Sequence, residues 1–353
     1  MGKNLTVKDI VECTNGKLII GDENILCKSF ERDSRAVKNG DVFIAIIGEN
    51  FDGNKAWKEA ISNGAKVLVL NYIELTEEEK KEYEDVAIII VEESITALQQ
   101  IATKKRELYG KDFPVIAVTG SVGKTSTKDS IASVLSEKYK VLKTHANFNN
   151  DIGLPLTILS IQDEDLAVVE MGMNHFGEIS RLSKIAKPTL SVITNIGTSH
   201  IGNLGSRENI LKAKLEILDG MIEPKVIINN DNDLLNKWYE ENDDDIQIKT
   251  FGIENKSDFY GTDIEIYEQY SDFICNHEDD HFEVMVPVPG KHFILNSLCA
   301  AAVGKTLGLS NEEIKNGIGK IELTKKRMEV TTIDNNIKVI NDSYNASYES
   351  TWT

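Results

Sequence analysis

Residues Val115 to Ser126, Val-Ile-Ala-Val-Thr-Gly-Ser-Val-Gly-Lys-Thr-Ser, restrict what this chain can fold into more than any other stretch. An unbroken apolar run bounded by a glycine reads as a strand covered on both faces, and the spacing Ile131, Val134, Leu135 predicts a helix after it. Gly120 and Gly123 can take positive φ and turn backbone N–H groups inward, Lys124 offers a point charge, and the Thr125 hydroxyl at a helix start can reach Mg²⁺. Gly120, Ser121, Val122, Gly123, Lys124, Thr125 and Ser126 therefore read as a cradle for the phosphates of a nucleoside triphosphate such as ATP. Longer loops of this kind carry a glycine five residues before the Gly-Lys pair. Val118 stands there, so this loop is a shortened version.

A chain of 353 residues predicts two to three domains. A formal net charge of -18 argues against a nucleic-acid partner, which needs a basic face. Cys13, Cys27, Cys275 and Cys299 are widely spaced and read as reduced thiols, which implies a reducing compartment. No apolar signal region opens the chain, and its apolar runs stop well short of a membrane span, so a cytoplasmic protein without a membrane partner is expected, as a monomer.

The fold class expected is α/β. Residues 1–110 read as a small α/β domain, with strands at Val42–Ile47, Lys66–Leu70 and Val86–Val91 and helices at Asn54–Asn63 and Ser94–Tyr109. Residues 111–319 read as a second domain in which apolar runs recur at Val115–Val118, Leu166–Val169, Leu190–Ile193 and Val226–Ile228, the pattern of a parallel sheet covered by helices. Ligands of such sheets sit beyond the carboxyl ends of the strands, where Thr119-Gly120, Glu170-Met-Gly, Thr194-Asn195 and Asn229-Asn-Asp231 gather. An alternating pattern from Asp263 to Val288 predicts an antiparallel hairpin extension, followed by a helix over Phe293–Leu307. Residues 320–353 hold two more strand patterns but too little apolar surface to stand alone, so the beginning of a truncated third domain is expected.

Several side chains are candidates for chemistry. Glu170 directly follows a strand and puts a carboxylate where a nucleotide-bound metal would lie. His200 occupies the loop after the next strand; a lone loop histidine is more often solvated. In Arg207 to Leu218, Glu208, Lys212 and Glu216 form a charged stripe, whereas Lys214 lies among Ile210, Leu211, Ile217 and Leu218. A lysine on an apolar face can become a neutral amine, able to take up carbon dioxide as a carbamate and ligate Mg²⁺, although snorkelling is the commoner reading of the spacing. Asn147, Asn149 and Asn150 crowd amides that suit a peptide ligand or simple turns. Asp33-Ser34-Arg35 could hold a diphosphate or merely turn the chain.

These stretches together resemble the Mur ligase family of peptidoglycan synthesis along the whole chain. Its general marks are Thr119-Gly-Ser-Val-Gly-Lys-Thr125, His200, Lys-Ala-Lys214 and Gly290-Lys-His-Phe-Ile-Leu-Asn296; Asp33-Ser-Arg35, Asn147-Phe-Asn-Asn150, Glu170-Met-Gly-Met-Asn-His-Phe-Gly-Glu178 and Asp342-Ser-Tyr-Asn-Ala346 select one branch of it. The resemblance implies a UDP-binding N-terminal domain, a P-loop ATPase domain, and a ligase using ATP and Mg²⁺ to join D-alanyl-D-alanine to a UDP-N-acetylmuramoyl-tripeptide through an acyl phosphate. It implies that Lys124 and Thr125 hold phosphates and Mg²⁺, that Glu170, His200 and a carbamylated Lys214 are metal ligands, and that Asn296, Arg327 and Asp342 touch the nucleotide. Ser34 and Arg35 fall where the UDP part is expected, and Asn147, Asn149, Asn150, Asn174 and His175 near the peptide end. The chain departs from the family pattern at Phe293, Asn341, Asn54 and Tyr348. Two alternatives stand beside this reading: a fragment that binds nucleotide or UDP-peptide without joining anything, and a ligase of the same family that adds a single amino acid.

Overall fold

The structure is a computed structural model that describes residues 3–242, 245–322, 324, 329–333 and 337–344. It divides into two compact units, one made of Met1–Phe113 with Asp151–Asp163, the other of Pro114–Asn150 with Glu164–Thr353.

In the first unit a five-stranded sheet runs in the order Lys17–Ile20, Ala87–Ile90, Val67–Leu70, Val42–Ile44, Phe30–Glu31, parallel except for its first pair. Its central strands are buried along their whole length, as β-branched runs covered on both faces must be. The helix Ser94–Tyr109 is capped by Glu93, whose carboxylate accepts from the N–H groups of Ile95 and Thr96. The acidic stretch after residue 74 forms a short helix, Glu77–Glu82, with no buried residue, opened by a Thr76–Glu79 capping box.

Residues 151–163, which the sequence reading places inside 111–319, pack with this first unit. Their helix Gly153–Leu159 is buried on nearly every side, and Tyr109 donates its hydroxyl to the carbonyl of Ile161 at 3.0 Å. A short segment apolar all round carries no stripe to say which neighbour it will choose.

The second unit holds a nine-stranded sheet in the order Val141–Lys143, Leu166–Glu170, Val115–Thr119, Leu190–Ile193, Lys225–Asn229, Gln247–Gly252, Phe259–Ile266, Ser271–His277, Asp280–Val286. It is parallel from the first of these through Phe259–Ile266 and antiparallel beyond. The expected hairpin is thus the far end of the central sheet itself. The strands Val141–Lys143 and Gln247–Gly252 carry too few apolar residues to be read from sequence. The core lies under the helices Lys124–Leu135 and Lys291–Thr306, where Ile131, Val134, Phe259, Phe293 and Leu298 meet. Burying each such side chain contributes roughly 1.5–3 kcal/mol. Phe293, a departure from the family pattern, is spent on that core at 3 % exposure. The strands Glu329–Ile333 and Ile337–Asn341 pair antiparallel.

Candidate active site

The carboxyl ends of three adjacent parallel strands, Leu166–Glu170, Val115–Thr119 and Leu190–Ile193, lie side by side, in register Glu170 with Val118 and Thr119 with Ile193. The strand Val115–Thr119 empties into the glycine loop, and the helix Lys124–Leu135 starts on Gly123, in the left-handed region at φ 79°. At Gly120 a side chain is excluded twice over: φ is 150°, and an added Cβ would stand 1.9 Å from Thr194 Oγ1. Lys124 Nζ donates to the carbonyls of Gly120 at 3.0 Å and Ser121 at 3.3 Å, which holds its charge over the loop.

Glu170, 2 % exposed, is gripped from both sides. Thr125 Oγ1 donates to one carboxylate oxygen at 2.9 Å and Asn149 Nδ2 to the other at 2.8 Å. The Glu170 N–H donates to Thr144 Oγ1, and the Asn149 carbonyl accepts from Gly172 N–H at 2.8 Å. The root of the amide-rich loop is in turn tied to the loop helix, because buried Lys128 donates to the Thr144 carbonyl at 3.0 Å. Asp129 pairs with Lys128 at 3.2 Å and Lys143 at 2.8 Å and accepts from Thr324 at 2.7 Å. Burial alone would raise the Asp129 carboxyl; Lys128, Lys143 and Thr324 outweigh it and hold it below the usual range.

Lys214, on the helix Arg207–Leu215, is completely buried, whereas Lys212 and Glu208 are exposed, the separation expected from spacing. Among the described residues no group accepts a hydrogen bond from Lys214 Nζ. Burial and then the charge of Lys124 push this amine well below the ordinary lysine value, against the pull of Glu170, Glu178 and Glu216. Glu216 is not simply a member of a solvated stripe: its carboxylate accepts from the N–H groups of Gly177 at 2.8 Å and Ser180 at 3.2 Å, capping the helix Glu178–Ala186. Glu178 accepts from Asn174 N–H at 2.6 Å, so both carboxylates shape the segment that follows Glu170. His200, half-buried, holds φ 67°, a strained conformation for a side-chain-bearing residue. Burial lowers its imidazole below the ordinary value, with Lys214 and Lys124 adding to the effect.

Among the described residues no three His, Cys, Asp or Glu side chains gather as a metal site. The donor set at this edge is of another kind: a carboxylate, a hydroxyl, an imidazole and a buried amine. An orphaned amine in a dry position is hard to explain as packing, and its conversion to a carbamate would give the set a second anionic oxygen donor.

Asn296, from the helix Lys291–Thr306, accepts from Thr127 Oγ1 at 2.8 Å, which ties that helix to the loop helix. His292 is lowered by burial and raised in part by Asp342. Arg327, Asn345, Ala346 and Tyr348 lie outside the described residues. Asn147, Asn150, Asn174 and His175 are exposed, and Asn174 accepts from Asn203 through its carbonyl. In the first unit, Ser34 is buried with its hydroxyl given to Glu59 at 2.5 Å. Arg35 is exposed and forks onto Asp33, whose carboxyl those hydrogen bonds hold down to about 2.

Asn149 and Glu216 are not the only residues that do more here than their sequence pattern suggests. Thr144 and Lys128 form the underside of the Glu170 position, and Asn195 grips the glycine loop. Only Asn195 left a trace in the sequence, as a strand-end polar residue.

The shortened phosphate loop, the strand-end carboxylate on its threonine and the buried lysine thus share one edge of the sheet. Residues 118–304 match the Mur ligase middle domain and residues 29–106 the Mur ligase family, catalytic domain; the chain belongs to the Mur ligase family. It is 38% identical over 345 residues to the UDP-N-acetylmuramoyl-tripeptide--D-alanyl-D-alanine ligase of Bacillus subtilis (strain 168), covering 97% of this chain and 72% of that one. Its fold superposes on MurF from Acinetobacter baumannii with a TM-score of 0.88 at 31% identity, over 99% of this chain and 75% of that one. On MurF ligase from Thermotoga maritima in complex with ADP the TM-score is 0.80 at 30% identity, over 92% and 73%. Among the described residues no helix is long and apolar enough to cross a membrane.

Proposed function

We propose that this chain is the ATP-dependent ligase that joins D-alanyl-D-alanine to UDP-N-acetylmuramoyl-tripeptide, acting in the cytoplasm on a peptidoglycan precursor. The observation that carries the reading is the contact of Thr125 with Glu170, which joins the glycine loop to a buried strand-end carboxylate. The relatives named above, at 30% identity or more over nearly the whole chain, support the choice of substrates.

The tripeptide's terminal carboxylate attacks the γ-phosphorus of ATP; the bond to the β,γ-bridging oxygen breaks, leaving an acyl phosphate and ADP. The amine of D-alanyl-D-alanine then adds to the acyl carbon, loses a proton, and inorganic phosphate departs with the amide formed. No protein nucleophile is needed, so the chain works by positioning and by charge. Lys124, held over the loop by the Gly120 and Ser121 carbonyls, is assigned to the phosphoryl oxygens, and the start of the helix Lys124–Leu135 adds its positive end. Mg²⁺, when bound, neutralises charge on the transferring phosphoryl group. Thr125, Glu170, His200 and Lys214 as its carbamate are the residues that would hold it. Asn296, with Arg327 and Asp342, is assigned to the nucleotide, Ser34 and Arg35 to the UDP part, and Asn147, Asn150, Asn174 and His175 to the peptide end, whereas the Asn149 amide is committed to Glu170.

The test is phosphate release with ATP and Mg²⁺. It should require UDP-N-acetylmuramoyl-tripeptide and D-alanyl-D-alanine together, and single amino acids should not replace the dipeptide. Release that ignores the dipeptide, or that accepts a single amino acid equally well, overturns the assignment.

A further inference from the structure

We infer that Asn195 is a positioning residue for nucleotide binding, a clamp that gives the shortened glycine loop its shape. The inference rests on the proposed function only in taking this loop as the nucleotide site.

A loop that lacks the outer glycine has fewer residues with which to close on itself, so its shape must come from outside. The structure shows where it comes from. Asn195 follows the neighbouring strand Leu190–Ile193 by two residues and meets the loop with backbone and side chain at once. Its carbonyl accepts from Ser121 N–H at 3.0 Å. Its side-chain amide then pairs with the next residue as a peptide group would, Oδ1 accepting from Val122 N–H at 3.0 Å and Nδ2 donating to the Val122 carbonyl at 3.1 Å. Thr194 adds a second donor to that carbonyl at 2.7 Å and sits where a Cβ on Gly120 would have to be. Ser121 returns the grip, its hydroxyl accepting from Gly197 N–H at 2.9 Å.

The chemistry demands an amide. Val122 presents a donor and an acceptor side by side, and only a side chain carrying one of each, rigidly spaced, satisfies both. Aspartate matches the N–H alone, turns an acceptor toward the Val122 carbonyl and adds negative charge beside the phosphates. Val122 N–H is thereby spent on the frame. The fixed loop contributes to affinity by preorganisation, because a floppy loop must be ordered when phosphate arrives.

The test uses the full chain and Mg·ADP as probe, by calorimetry, with UDP-N-acetylmuramoyl-tripeptide binding and thermal midpoint measured beside it. Asn195→Ala should weaken Mg·ADP roughly 10–100-fold, as expected for two lost hydrogen bonds and a loosened loop, and leave tripeptide binding within about twofold. Asn195→Asp should bind Mg·ADP no better than Asn195→Ala. In turnover the loss should fall on KM for ATP more than on kcat. An Asn195→Ala protein that folds and binds Mg·ADP within about twofold of the parent overturns the clamp, as does an equal loss of both ligands. If Asn195→Ala does not fold, Thr194→Val, which removes one of the donors to Val122, carries the test: a selective loss of Mg·ADP affinity supports the clamp and an unchanged affinity overturns it. Parent protein that binds Mg·ADP but makes no amide would sink the ligase reading and leave this one standing.

Discussion

Removing the amide of Asn149 should loosen the carboxylate on which the phosphate loop leans. In Asn149→Ala the 2.8 Å bond from Nδ2 to Glu170 is lost, while Thr125 keeps its hold on the other oxygen at 2.9 Å. A hydrogen bond to a charged acceptor contributes about 1.5–3 kcal/mol, and at 2 % exposure water cannot readily replace the donor. For a unit of this size each kcal/mol moves the thermal midpoint by about 2–4 °C, so a drop of roughly 3–12 °C is expected. The bond from Gly172 N–H to the Asn149 carbonyl is a backbone contact and survives the substitution. The decisive measurement is a double-mutant cycle on thermal stability with Asn149→Ala, Glu170→Gln and the pair. Residues in direct contact should couple, here by about 1–2 kcal/mol. A coupling energy below about 0.5 kcal/mol, the range of independent sites, would refute the argument that Asn149 is spent on positioning Glu170. Turnover offers a second readout: Asn149→Ala should need more Mg²⁺ for half-maximal rate, beyond any loss at saturation.

Three further outcomes follow from the same geometry. Lys214→Met should abolish amide formation yet hold or raise the thermal midpoint, since a buried amine with no acceptor gives way to an apolar chain of similar length; a midpoint lower by more than about 3 °C contradicts the burial argument. Asp129→Ala leaves Lys128 buried without its carboxylate and should cost about 3–5 kcal/mol in urea unfolding, far more than Lys143→Ala at the exposed end of the same cluster. Lys124→Ala should stop turnover while UDP-N-acetylmuramoyl-tripeptide binding persists; turnover near the parent rate would remove the phosphate-neutralising role assigned to Lys124.

How much of this was legible beforehand depends on the range of the interaction involved. The strand Val115–Thr119, the loop and its helix are local, and their pattern of apolar run, glycine and lysine states the conformation directly. The two lysines of Arg207–Leu215 could be told apart by helical spacing, and the structure buries Lys214 while exposing Lys212. Glu216 fitted the same spacing but not the same fate. The helix ends at Leu215, and the turn that begins at Glu216 carries its carboxylate to another helix's first N–H groups. Spacing holds only while the helix does.

The sequence by itself determined the phosphate loop, the recurrence of buried strands that makes a parallel sheet, and the order in which polar residues arrive at its edge. Only the tertiary structure decided that residues 151–163 pack with the first unit, that Asn149 holds a carboxylate, and that Asn195 shapes the loop from the neighbouring strand. The reason is physical. Period and propensity are properties of consecutive residues, whereas a buried donor takes whichever acceptor the folded chain brings within about 3 Å, however far away in sequence it began.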